Sequence, residues 1–83
     1  MNHYLIVCRS VTYAQRMART LQRAALACHI VRIPQGLVPS GCGYAVRIRE
    51  GDLSLALRAI GQINMRPVAL FLDNGISYTE VPL

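Results

Sequence analysis

Thr12-Tyr13-Ala14-Gln15-Arg16-Met17-Ala18-Arg19-Thr20-Leu21-Gln22-Arg23-Ala24-Ala25-Leu26-Ala27 carries the clearest periodic pattern in the chain. Ala14, Met17, Ala18, Leu21, Ala24 and Ala25 recur at three-and-four spacing, which makes one apolar stripe of an amphipathic helix. Arg16, Arg19 and Arg23 share the opposite face. Thr12-Tyr13-Ala14-Gln15 fits the T-x-x-Q capping box, in which both side chains satisfy orphan helix donors, so the helix is predicted to start there and run to about Ala27. On either side lie short β-rich runs, Tyr4–Cys8 and Cys28–Ile33, the second ended by Pro34. The helix therefore connects two strands.

The rest of the chain repeats the scheme. Gly43–Arg49 alternates as a third strand, with Tyr44, Val46 and Ile48 on one face and Ala45, Arg47 and Arg49 on the other. Glu50-Gly51-Asp52 is a turn in which Asp52 suits an N-cap. Leu53, Ala56, Leu57, Ile60 and Ile63 give a second amphipathic helix, and Val68–Leu72 a fourth strand. Asn74-Gly75 signals a type I′ hairpin that returns Ile76–Val81 as an edge strand. The expected class is α+β: a ferredoxin-like βαββαβ sandwich with an extra C-terminal edge strand, residues 1–83 forming a single domain. In that topology the connection between strands two and three lies at the same end of the sheet as the N-terminus of the first helix. Strands one and three are central neighbours.

Composition narrows the partners. The chain has 83 residues, is 53% hydrophobic and carries a net charge of +5 in which every basic residue is Arg. That apolar content supports one core without disulfides. No apolar run approaches the roughly 20 residues of a membrane span, and Met1–Cys8 lacks the charged start of a signal peptide. A cytoplasmic protein is expected, in which Cys8, Cys28 and Cys42 are reduced thiols. The positive balance favours anionic partners.

Ser40-Gly41-Cys42-Gly43-Tyr44 is the stretch with chemistry in it. Two glycines leave the Cys42 sulfur without neighbouring Cβ atoms, and Pro34 to Pro39 upstream cannot continue a strand. Cys42 is thus expected on a surface loop, where reactive groups are commonly placed. The expected topology surrounds it with Arg9, Ser10, Thr12 and the helix N–H groups. A free thiol with a pKa near 8.5 is only about 3% thiolate at pH 7; positive potential from the helix end and arginines raises that fraction. The plain alternative is a loop cysteine whose glycines serve turn geometry alone. Cys8 and Cys28, in strands, read as small core residues.

Tyr4-Leu5-Ile6-Val7, Thr12-Tyr13-Ala14 and above all Ile33-Pro34 with Ser40-Gly41-Cys42-Gly43-Tyr44-Ala45-Val46-Arg47 resemble the selenium/sulfur carrier-like family, over nearly the whole chain up to Leu72. Ser40, Cys42 and Gly43 occupy the Ser-x-Cys-Gly motif positions, with Gly41 in the variable slot. Gln35-Gly36-Leu37-Val38-Pro39 is less polar than the family pattern there. The resemblance implies a carrier rather than a conventional enzyme. It would hold sulfane sulfur or selenium covalently on Cys42, need no other cofactor, and work between a cysteine desulfurase-like donor and an acceptor protein.

Other readings fit the residues less well. Cys42–Arg49 matches the third-strand signature of an RNA-recognition motif only at Gly43, Tyr44 and Ala45. At 6% aromatic the stacking platform is missing. Nucleic acid is therefore not the expected partner, although a non-catalytic protein- or RNA-interaction module of the same fold is the alternative. His3, Cys8, Cys28, His29 and Cys42 are scattered without paired zinc-ligand spacing, so no metal is expected. Glu50, Asp52, Asp73 and Glu80 form no acid–base pair, and no hydrolase or phosphate-loop motif appears. An apolar sheet face left uncovered is expected to be buried in a homodimer.

Overall fold

The structure, a computed structural model, describes residues 2–34, 36–38 and 43–83. Strand β1 (His3–Val7) is apolar on both sides, which suits a strand covered on both faces. It lies between β3 (Tyr44–Arg49) and β4 (Ala69–Asp73), and the sheet order is β2-β3-β1-β4-β5, with β2 at Cys28–Arg32 and β5 at Tyr78–Val81. Every neighbouring pair is antiparallel. Helices α1 (Val11–Arg23) and α2 (Leu53–Gln62) complete an α+β fold. Among the described residues no helix is long and apolar enough to cross a membrane.

Register sorts the strand residues into two cores. Ile6 pairs with Val46 and Leu70, and Tyr4 with Ile48 and Leu72; this side meets the helices. Ile6, Val46, Ile48 and Leu70 pack there with Ala14, Met17 and Leu21 of α1 and Ala56 and Ile60 of α2. Each large aliphatic side chain buried in this way contributes about 1.5–3 kcal/mol. Arg16, Arg19 and Arg23 are exposed, as their helical spacing requires. The opposite side buries Leu5, Val7, Ala45, Ala69 and Phe71 against Val31, Ile33, Leu37 and Val38. Leu37 and Val38 belong to the connection between β2 and β3, so that connection folds back over the sheet. The premise of an uncovered apolar face awaiting a second copy therefore fails here; the chain covers these residues itself.

Local signals shift where competing groups win. Helix α1 starts at Val11 because Ser10, in extended backbone, caps it and accepts the Tyr13 N–H at 3.0 Å. Thr12 is instead an exposed residue of the first turn, so the T-x-x-Q box is not used. The helix stops at Arg23 rather than near Ala27. Ala25 takes φ 63°, its N–H donates to Gln22 C=O and the Leu26 N–H to Leu21 C=O. That is a Schellman end, and it buries Leu26. Asn64, at φ 59°, and Met65 end α2 in the same way, with Met65 N–H donating to Ile60 C=O. Asp52 makes no cap bond to α2; its Oδ2 stands 3.5 Å from Arg49 Nε. The β4–β5 turn is a four-residue loop, not a type I′ turn. Gly75 has positive φ but Asn74 does not, and Asn74 Oδ1 accepts the Ile76 and Ser77 N–H groups, both at 2.8 Å.

Candidate functional site

The site is built at the sheet end where β1 finishes and β3 begins. Cys8 N–H donates to Tyr44 C=O at 3.2 Å, and Ile33 N–H donates to Gly43 C=O at 2.9 Å. The second bond ties together the two ends of the β2–β3 connection. The first brings the end of β1, and with it Arg9 and Ser10, to the start of β3. Gly43 has φ 80°, with open space around a would-be Cβ. Any side chain there would cost about 1–2 kcal/mol from backbone strain alone. The glycine after Cys42 thus supplies a left-handed turn into the strand.

Two tyrosines hold arginines at this end. The Arg9 guanidinium lies 4.5 Å from the Tyr13 ring centroid, and the Tyr13 hydroxyl accepts the Arg66 N–H at 3.1 Å. That bond first, and Arg9 second, lower the Tyr13 phenol below its ordinary value. Arg32 stands over the Tyr44 ring and donates from Nε and Nη2 to its hydroxyl at 3.4 and 3.3 Å, which raises the Arg32 pKa. Val68 N–H donates to Val7 C=O at 2.8 Å, so the segment bearing Arg66 reaches the same end. The acids lie elsewhere. Asp73 pairs with His3 at the far end, where Glu50 and Asp52 follow β3, and Glu80 pairs with Phe71 on the edge strand. Among the described residues, this end carries Arg9, Arg32, Arg66 and the N-terminus of α1, and no acidic side chain.

Ser40, Gly41 and Cys42 lie outside the described residues. Gly43, Arg9, Ser10 and Thr12 are described, and all four stand at the end just outlined. Ser10 spends its oxygen on the helix cap, Thr12 is exposed, and Arg9 is exposed and stacked. The other two cysteines are core. Cys8 is fully buried, its sulfur 3.6 Å from Ile6 C=O and 3.8 Å from Met17 Sδ. Cys28 is buried on the helix side, with its thiol 3.4 Å from Ala18 C=O, and burial pushes its pKa up. His29, next in the strand, is exposed on the opposite face. Among the described residues no three His, Cys, Asp or Glu side chains gather as a metal site. Sequence reading missed Arg32, Arg66 and the two tyrosine seats. Arg32 and Tyr44 are direct cross-strand partners, a pairing that no local pattern displays.

A family described as "Putative Se/S carrier protein-like" matches residues 3–72. The chain belongs to that family. A search of curated proteins and one of solved structures found no match. In this Se/S carrier-like chain the matched span runs from β1 into β4, and β5 lies outside it. The span includes the connection that carries Cys42, both anchors of that connection, and the three arginines at its end.

The carrier-like chain has little room for RNA on its second sheet face. Leu5, Val7, Ala45 and Phe71, where bases would stack, are buried under Ile33, Leu37 and Val38.

Proposed function

We propose that this protein carries sulfane sulfur or selenium on Cys42. The observation that carries the reading is the family match across residues 3–72. The cationic end beside Gly43, with no acidic side chain among the described residues, supports it, because positive potential favours a thiolate and an incoming anionic persulfide. In the proposed step the Cys42 thiolate attacks the outer sulfur of a donor persulfide. A new S–S bond forms on Cys42, the donor S–S bond breaks, and the donor leaves as a thiolate. No net oxidation occurs, so neither a redox partner nor a bound cofactor is required. An acceptor nucleophile takes the outer sulfur or selenium by the same exchange.

Ser40, Gly41 and Gly43 shape the proposed loop; Arg9 and the N-terminus of α1, which Ser10 caps, supply positive potential at its border, and Thr12 a hydroxyl donor. The donor is a cysteine desulfurase-like enzyme, the acceptor a second protein, and the setting the reducing cytoplasm. We read residues 1–83 as a single ferredoxin-like domain with β5 as its added edge strand. The position of β1 between β3 and β4 supports that reading.

The test uses the full chain with a cysteine desulfurase and cysteine, read by intact-mass spectrometry. One added sulfur that is removed by thiol reductant is expected on the natural protein. Its absence there, or an equal adduct on Cys42→Ser, overturns the proposal.

A further inference from the structure

The end of the sheet remote from Gly43 has its own polar cavity. It encloses about 280 Å³ and is lined by His3, Ala27, His29, Arg47, Ile48 and Arg49. Register explains why four of these side chains converge. His29 is the direct cross-strand partner of Arg47, and His3 that of Arg49. Arg47 and Arg49 are two residues apart on one strand, so all four project from the same face. His29 and His3 flank β3 from opposite sides, so the four form a staggered patch roughly 10 Å across the strands and 7 Å along them.

Within this patch Asp52 offsets Arg49, and Arg47 is the charge left over. Arg47 is half-buried between β1 and β2, and among the described residues it makes no ion pair. The three carboxylates at this end have other partners than Arg47. Asp52 faces Arg49 Nε at 3.5 Å, Glu50 Oε2 accepts Asn2 Nδ2 at 3.1 Å, and Asp73 Oδ1 accepts the Gly75 N–H at 2.9 Å. A half-buried guanidinium without a counter-ion is costly unless an anion reaches it. Arg47 and Arg49 bring fork-shaped donors, and each imidazole brings at least one N–H whatever its protonation state. That is a donor set for a tetrahedral oxyanion, with cavity left over for a small attached group.

We propose that His3, His29, Arg47 and Arg49 form a binding site for a phosphate-class oxyanion, either free or as the monoester of a small molecule. The site is independent of Cys42 and stands at the opposite end of β3.

The experiment is an amide chemical-shift titration of the full chain at constant ionic strength, with inorganic phosphate in one arm and adenosine 5′-monophosphate in the other. Saturable shifts centred on residues 3, 29, 47 and 49 are expected. Arg47→Gln should weaken binding by about tenfold or more, as loss of a charged hydrogen-bond donor does. Arg19→Gln, on the exposed face of α1, should bind as the natural chain does, and so should Cys42→Ser. Tighter binding of the ester assigns a phosphorylated small molecule, whereas equal or tighter binding of phosphate assigns the free oxyanion. Non-saturable shifts, or shifts shared by all arginines, overturn the site. So does unchanged affinity in both Arg47→Gln and Arg49→Gln, each checked for native amide dispersion.

Discussion

At the scale of single residues, the two described cysteines share one environment. Cys8 and Cys28 face the helix-side core, and the apolar neighbours of Cys28 cannot solvate its thiolate. For Cys28 burial raises the native pKa. Between the ordinary thiol value near 8.5 and that raised value, the unfolded chain has lost its proton while the native chain keeps it. The Cys28 contribution to stability is therefore complete below the ordinary value and lost as pH rises through the native one. Denaturant unfolding of the natural protein and Cys28→Ala between neutral and alkaline pH should show a steeper fall in the natural protein. Parallel curves would mean that burial does not tune this thiol. Where Cys42 sits in sequence was legible, since two glycines and two prolines mark a loop around it. The tyrosine seats of Arg9 and Arg32 were not, because each depends on a partner fixed by register or by the path of the chain beyond a helix cap.

Among the elements, both helices were legible from apolar spacing, and their ends were not. Ser10 outcompetes Thr12 as cap because extended backbone at Ser10 aims its oxygen at the Tyr13 N–H. At the other end of α1, Ala25 occupies the left-handed position that glycine usually takes in a Schellman end. The tertiary reward is burial of Leu26 directly after it. An alanine pays about 1–2 kcal/mol for that conformation, and a glycine loses part of the relief to unfolded-chain entropy. Ala25→Gly should thus stabilise the protein by ~0.5–1 kcal/mol, seen as a higher urea midpoint at unchanged slope. A lower midpoint would show that Ala25 packs more than it strains. Asn64, the corresponding residue of α2, needs no such replacement, since its polar side chain tolerates this backbone.

Across the whole molecule, the sheet order joins features that are far apart in sequence. It gathers Arg9, Arg32 and Arg66 at one end and Arg47, Arg49 and two histidines at the other, while the acids stay away from the first end. It also settles what the β2–β3 connection does. Leu37 and Val38 lie over Leu5, Val7, Ala45 and Phe71, so these two residues of the connection are part of a core. Leu37→Ala should cost about 1–2 kcal/mol for a half-buried aliphatic side chain. It should also expose the second face, read as increased dye binding or self-association. An effect within ~0.3 kcal/mol and no change in either readout would show that the connection does not pack there.

The alternation of strands and helices, the apolar stripes, the basic balance and the Ser-x-Cys-Gly stretch are all legible without the fold. Each is a local pattern read within a few residues. The helix caps, the covering of the second face and the two arginine-rich ends emerge only in the folded chain. Those depend on which strand pairs with which and in what register, and that choice is made by burial summed over the whole sheet.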